Sequence, residues 1–468
     1  MDVETPPMNK GSGRRAPVHL AALGAALLAA GLLLAGCTGQ ATRDEGAARQ
    51  DLGDVKSRYR PHDAKPPLPT LTETSGLPDL IQYALLNSPR AEAAFYDWAG
   101  AIEEITTARS LPDPMLTFGA AIGSGVPSLS LALITDPGQN WPGPGKLPLK
   151  ADAAYGDALK KRAVFEGELL GAALAVKRAY YQLWVLEEEI RRTREVLALV
   201  DEVEAISRQR LAVGKAGEQD VLKTQMEQDR LKNQLAGLED SRTAIAARLR
   251  AALGLGPDQA LPKFALKLDP AAADFTEASL LETAFARNPR LKEMRAEVLQ
   301  AVALYHLSEK STVPDYSFGI GVGGPPVAVT PSVGMTLPIW RDKIAAEIAR
   351  GSSGMTAANA RLSAEALDLA VRFAETAYAW REANRNAELH GARLLPKAKA
   401  ALAAARAGYV TGGSTFIDLL DAGRELLEHH MKHAEALGQR EMVLAEMSLV
   451  ILGKWPENVP GVVTGPGI

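Results

Sequence analysis

"LPDPMLTFGAAIG" (residues 111–123) and "VPDYSFGIGVG" (residues 313–323) are two spellings of one phrase. Each opens on a proline-bearing turn and runs into a Gly-rich stretch where apolar and small residues alternate, as in strands with two unlike faces. Phe118 falls on Phe318. The correspondence continues outward in both directions. "ALLNSPR" (84–90) answers "AFARNPR" (284–290), and "GEQDVL" (217–222) answers "STFIDLL" (414–420), which sets Asp220 near Asp418. Finally, "AALGLGP" (251–257) answers "VILGKWP" (450–456). Four pairs in the same order, at offsets of 198–202, mark an internal duplication. Copies this long are not solenoid units of roughly 20–50 residues. They are two halves of a pseudo-symmetric protomer.

Both copies share one grammar. Helical pieces over 77–109 and 277–310 open them, interrupted at Asn87-Ser88-Pro89 and Asn288-Pro289, because proline lacks a donor and restricts its predecessor. The β-like stretches follow, with "SLSLALI" completing the first pair and "PSVGMTLPIW" the second. Then no proline occurs from Lys150 to Leu211, or from Ile339 until after Leu395. An unbroken helix of about 60 residues reaches roughly 90 Å. After Gly214–Gly217 a returning run sets Leu231, Leu238, Ile245 and Ala252 at sevens, with Leu235 and Leu249 beside them. Phe416, Leu420, Leu427, Met431, Ala434 and Leu437 repeat the theme, a coiled-coil-like seam. On pattern alone the strands also suit hairpins of a soluble domain, and the helices suit a bundle of any function. Four strands cannot cross a membrane as an open sheet, since lipid leaves the edges unpaired. Three protomers contributing four strands each would close a barrel of about twelve, within the known range.

The composition agrees with helices. Apolar residues make up 47% and aromatics only 5%, with long alanine tracts that suit close helix packing. With 52 basic and 56 acidic residues the net charge is -4, and nothing points to nucleic acid. The single cysteine excludes an internal disulfide framework. It lies in "RRAPVHLAALGAALLAAGLLLAGCTGQ" (14–40), where a basic pair, an apolar core and Leu34-Ala35-Gly36 precede Cys37. This order resembles a bacterial lipoprotein signal, which would leave an acylated Cys37 first in the mature chain. Thr38 after it resembles an outer-membrane address. An ordinary signal peptide, or a membrane helix with an incidental cysteine, is the competing reading. The expected divisions are a lipoprotein signal peptide (1–36), a polar tether with little reason to pack (37–76), two repeats (77–257 and 277–455) and a C-terminal tail (456–468).

Together these features resemble the TolC family of outer-membrane efflux proteins over about residues 75–455. "NWPGPGKLPLKADAA" (140–154) is closest in character to the heavy-metal efflux branch, and "LPIWRDKIAAEIA" (337–349) occupies the corresponding place in the second copy. The resemblance implies a mainly α protein with membrane β-strands, trimerising into a twelve-stranded barrel and a helical periplasmic tunnel. It implies a passive conduit, with no cofactor. The partners would be two further copies, outer-membrane lipid, a periplasmic adaptor (membrane fusion) protein and an inner-membrane RND-type pump. Metal cations are the cargo that the heavy-metal likeness suggests.

Within "YVTGGSTFIDLLDA" (409–422), Asp418 and Asp421 match two family aspartates that line the periplasmic mouth, with Tyr409 nearby. A trimer would crowd six carboxylates there, raising one another's pKa values and attracting cations. Ser414 stands where the family often has a basic residue, so the resemblance carries no charged clamp to that point. Other readings compete. The two acids suit a solvated helix face, or a glycosidase pair, though the first copy offers only Asp220. His429 and His433 are four apart and could hold a metal, but no third ligand is in place, and surface histidines are the simpler reading. No nucleophile-elbow, Walker or HExxH motif occurs. The alternative of another class is a lipid-anchored periplasmic coiled-coil scaffold or adaptor. Assembly of the four Gly-rich segments into one sheet separates the two.

Overall fold

A computed structural model describes residues 42–121, 128–135, 141–214, 217–268, 277–323 and 328–462. The lipoprotein reading of Cys37 lies outside them. The first repeat runs α2 (Leu77–Asn87), α3 (Pro89–Arg109), β1 (Pro114–Ala121), β2 (Ser128–Thr135), α4 (Lys146–Ala212) and α5 (Glu218–Ala252). The second runs α6 (Glu277–Arg287), α7 (Pro289–Glu309), β3 (Tyr316–Gly323), β4 (Ala328–Met335), α8 (Arg341–Glu388), α9 (Leu395–Thr411) and α10 (Phe416–Glu446). Preceding both is α1 (Arg43–Tyr59).

The broken helices show how one joint is built twice. In the first repeat Ser88 caps α3, its hydroxyl accepting from the Ala91 amide at 3.4 Å. The neighbouring Asn87 donates to the carbonyls of Leu253 and Gly254 at 2.9 and 3.1 Å. In the second repeat Asn288 does both jobs. Its oxygen accepts from Leu291 at 3.1 Å, and its amide donates to Val450 and Ile451 at 2.9 and 3.1 Å. The chain answers each asparagine with a glycine, Gly254 at φ +71° and Gly453 at φ +61°. A side chain there would be strained and would also strike the carbonyl of Asn87 or Arg287. The "LG" and "NP" signatures are thus two halves of one contact, made once per repeat.

Helix α4 is unbroken for 67 residues, about 100 Å at 1.5 Å per residue. Its partners run antiparallel. Against α5, Glu187, Arg194 and Asp201 meet Arg242, Glu239 and Gln228 in descending order. Leu231 and Leu249 of the returning seam are buried, while Leu238, Ile245 and Ala252 stay half-exposed in the protomer. The second long run departs from the expected unbroken helix. It forms α8 over 48 residues, then a widened π-type turn at Leu389–Leu394, then α9. Pro396 explains this: its ring has no N–H and excludes the carbonyl one turn back, so the turn before it opens.

Two expected unstructured stretches are packed. The tether contains α1, whose Val55 and Tyr59 are buried in the main core. Polar composition concealed it, because α1 buries few apolar side chains and adds a charged anchor to them. Glu45, 1% exposed, meets Arg109 at 2.8 Å and Arg49 at 3.0 Å. The expected tail also packs through Val459 and Val462. That core centres on Tyr59, Phe95, Trp98 and Phe165, whose rings lie 5.2–6.2 Å apart. Each such side chain stabilises by about 1.5–3 kcal/mol when fully buried.

The four Gly-rich segments form one antiparallel sheet in the order β1-β2-β3-β4. Register brings Phe118, Leu131, Val322 and Val329 into one cross-strand row, and Thr117, Ala132, Gly321 and Thr330 into the next. Since side chains alternate along a strand, these rows lie on opposite faces. One face is apolar and fully open, with Phe118 70% and Val333 74% exposed. The other is uncharged and mostly small, with Met115 and Ile134 paired on it. Among the described residues, β1 and β4 each have one unpaired edge.

Candidate functional site at the hairpin ends

The hairpin turns connect α4 to α5 and α9 to α10, and the sequence-selected acids sit just past them. Gly412, at φ +86°, ends α9, and the Gly413 amide closes the turn onto the Gly408 carbonyl at 2.8 Å. Ser414, where a basic residue was looked for, tucks against Gly408 and brings no charge. Thr415 then caps α10. Its hydroxyl accepts from the Asp418 amide at 3.2 Å, while the Asp418 carboxylate accepts from the Thr415 amide at 2.8 Å and hydroxyl at 2.6 Å. This is a reciprocal capping box. The Thr415 hydroxyl, then its amide, hold the Asp418 carboxyl below the usual range. Asp220 occupies the same third position of α5, but its cap is Gly217, which has no side chain to complete the box. Duplication therefore aligned the two aspartates as helix-start residues.

Asp421 has a different environment. Its carboxylate lies 3.3 Å from Arg424, and Arg424 reaches on to Glu227 of α5 at 2.6 Å. Glu227 is 3% exposed and also meets Arg230 at 2.6 Å. Burial opposes its ionisation, but the two guanidiniums outweigh burial and hold the carboxyl below its ordinary range. This chain of charges ties the first repeat's returning helix to the second's.

Tyr409 is buried behind the turn rather than beside the acids. Its hydroxyl shares a hydrogen bond with Ser207 at 3.0 Å, and the Arg210 guanidinium lies 4.5 Å above its ring. Arg210 also donates to the Tyr409 carbonyl, and Phe416 meets the ring edge-on at 6.1 Å. The structure thus brings Tyr409 to α4, leaves Asp418 on its own cap and gives Asp421 to Arg424. It does not join the three side chains within a protomer. Sequence reasoning missed Glu227, Arg424, Ser207 and Arg210. Their only signal was a spacing near the repeat length: 197 residues from Glu227 to Arg424 and 202 from Ser207 to Tyr409.

The competing chemistries find no support in this geometry. Asp418 is engaged by its own cap and Asp421 by an ion pair with Arg424, so neither carboxylate stands free. His429 faces His390 and His433 faces Gly391, and no group of three ligating residues among the described ones could hold a metal.

The family profile described as "Outer membrane efflux protein" matches residues 145–255 and 280–450, one stretch in each repeat and more than half the chain together. No single curated protein matches by sequence. Among solved structures, a membrane protein from Pseudomonas aeruginosa is 18% identical at TM-score 0.72, covering 84% of this chain and 94% of that one. The outer membrane protein VceC of Vibrio cholerae is 17% identical at TM-score 0.68, covering 81% and 96%. CusC, whose structures concern folding and transmembrane channel formation, is 14% identical at TM-score 0.70, covering 82% and 94%. Likeness at these identities establishes the fold and singles out no heavy-metal branch. With both repeats matched, the chain belongs to the outer membrane efflux protein family, the passive outer-membrane channels of tripartite efflux systems.

Proposed function

We propose that three copies of the chain close their sheets into one twelve-stranded barrel and continue as a helical tunnel through the periplasm. The observation that carries this is the sheet. A four-stranded layer with one largely apolar exposed face and, among the described residues, two unpaired edges is unstable alone, in water or in lipid. Pairing β1 of one copy with β4 of the next removes every edge and turns the apolar face to lipid, with the uncharged, mostly small face lining the pore. Among the described residues no helix is long and apolar enough to cross a membrane. The assembled sheet is also what a coiled-coil scaffold or adaptor would lack.

In this assembly Cys37 is acylated and anchors the mature chain after removal of residues 1–36, α1 docks beside the first repeat, and 77–257 and 277–455 are the two efflux repeats. The hairpin ends form the periplasmic aperture. Asp418 and Asp421, exposed on α10, present six carboxylates to the axis, while Tyr409 braces α9 against α4 from behind. A periplasmic adaptor and an inner-membrane RND-type pump deliver the cargo, and an acidic mouth favours cations. The test is detergent-extracted protein, measured for mass and then inserted in planar bilayers. A trimer giving discrete single-channel currents is the expected result. A monomer that gives no conductance would overturn the reading.

A further inference from the structure

Four of the chain's seven histidines lie at one level of the second hairpin: His390 on the widened turn before α9, and His429, His430 and His433 on α10. The rings of His390 and His429 face each other with centroids 5.3 Å apart. The Nδ1 atoms of both are buried and lack a hydrogen-bond partner. His433 lies so close to Gly391 that no Cβ would fit between them. The widened turn is therefore fastened to α10 by imidazoles pressed together, an arrangement suited to neutral rings and hostile to imidazolium.

We propose that this cluster is an acid-operated fastener, in which protonation of His390 and His433, packed against His429 and Gly391, drives the widened turn off α10 and loosens the second hairpin above its mouth. Like charges at this separation, partly shielded from water, repel. Glu189 of α4, Glu382 of α8 and Glu435 of α10 line the same cavity as His390, and Glu189 is itself pushed up to about 7 by burial and Glu435. Burial first, then His429 and Lys432 of α10, hold His390 below the ordinary histidine range, against Glu428 and Glu435. Burial first, then His390, Arg192 of α4 and Arg440 of α10, do the same to His433, against Glu188 of α4. His430, facing α4 and α9, is pushed down to about 4 by burial, Arg192 and Lys399, against Glu195. Because the folded values lie below the unfolded ones, the fastening is complete above the ordinary histidine value of 6.5 and is lost as pH falls below it.

The experiment is amide exchange on the full-length protein with a chelator present, corrected for intrinsic rates, at about pH 7 and about pH 5. Peptides over residues 386–398 and 426–436 should exchange at least about tenfold faster at the lower pH, while peptides over 165–180 in the main core do not change. Replacing the three rings with neutral amides, His390→Gln with His429→Gln and His433→Gln, should flatten that response. Equal wild-type rates at the two pH values, or an undiminished acid response in the triple variant, would overturn the proposal. If the triple variant does not fold, His433→Gln alone decides: a smaller response supports the fastener, and an unchanged one refutes it.

Discussion

Replacing Arg424 by alanine tests the charge chain that joins the two repeats near the hairpin ends. Glu227 would stay buried at 3% exposure, lose a 2.6 Å bond and keep only Arg230. Removing one partner of a fully buried pair costs about 3–5 kcal/mol, but Arg230 still neutralises much of the charge. A single hydrogen bond to a charged group contributes about 1.5–3 kcal/mol, so about 2 kcal/mol is expected here. That corresponds to roughly thirtyfold more frequent local opening, since about 1.4 kcal/mol is a factor of ten. Amide exchange over 220–232 and 416–428 should accelerate by that factor, while the aromatic core around Trp98 exchanges as before. Adding Glu227→Gln should recover most of the protection, because a neutral amide tolerates the site better than a half-paired carboxylate. Glu227's folded pKa lies below the ordinary glutamate value of 4.5, so the tie is present above that pH and is lost as pH falls below it. Exchange within about threefold of wild type, or a double variant as open as Arg424→Ala alone, would refute the tie.

Thr415→Ala removes the capping half of the box and should cost about 1 kcal/mol, read as faster exchange at the first-turn amides of α10 without loss of the trimer. Asp418→Asn with Asp421→Asn should reduce cation preference and divalent block in single-channel recordings, since the charges that concentrate cations are gone. Unchanged selectivity would place both acids outside the lumen. Cys37→Ser should yield a chain without acyl mass that still inserts as a trimer, whereas the wild-type chain should lack residues 1–36 and carry lipid by mass analysis.

Much of this architecture could be read from letters because duplication writes each instruction twice. A lone "NSPR" is a weak turn signal, but its recurrence as "RNPR" marked an interruption in each repeat, and the structure shows both bonded to the stretches that carry the recurring "LG". Regular periodicity likewise revealed the long helices, since α4 needs only a seam and the absence of proline. The unread parts are those held by single charges. Helix α1 looked like a tether because its buried apolar residues are few, Val55 and Tyr59, and stand beside a charged cluster of Glu45 with Arg49, Arg109 and Thr106. Arg424 and Glu227 are unremarkable surface letters until folding places two helices from different repeats side by side. Asp418 was found, yet the capping box is a local duty that spacing to Asp421 does not reveal. The widened turn at Leu389–Leu394 was missed because Pro396 acts on the turn before it, inside a stretch that reads as helix.

The paired asparagine joints also bear on where the two copies are free to diverge. In each repeat the joint fastens the segment just after α2 or α6 to the segment just after α5 or α10, so entrance and exit meet at one level. A unit whose two ends already touch is a closed circuit. It is held by its own two ends, and each copy carries its own joint of one asparagine and one glycine. Most of the distance that each repeat travels, out to a strand and down to a hairpin tip, lies away from that joint. The far ends are therefore free to diverge without loosening it, as Gly217 and Thr415 have done.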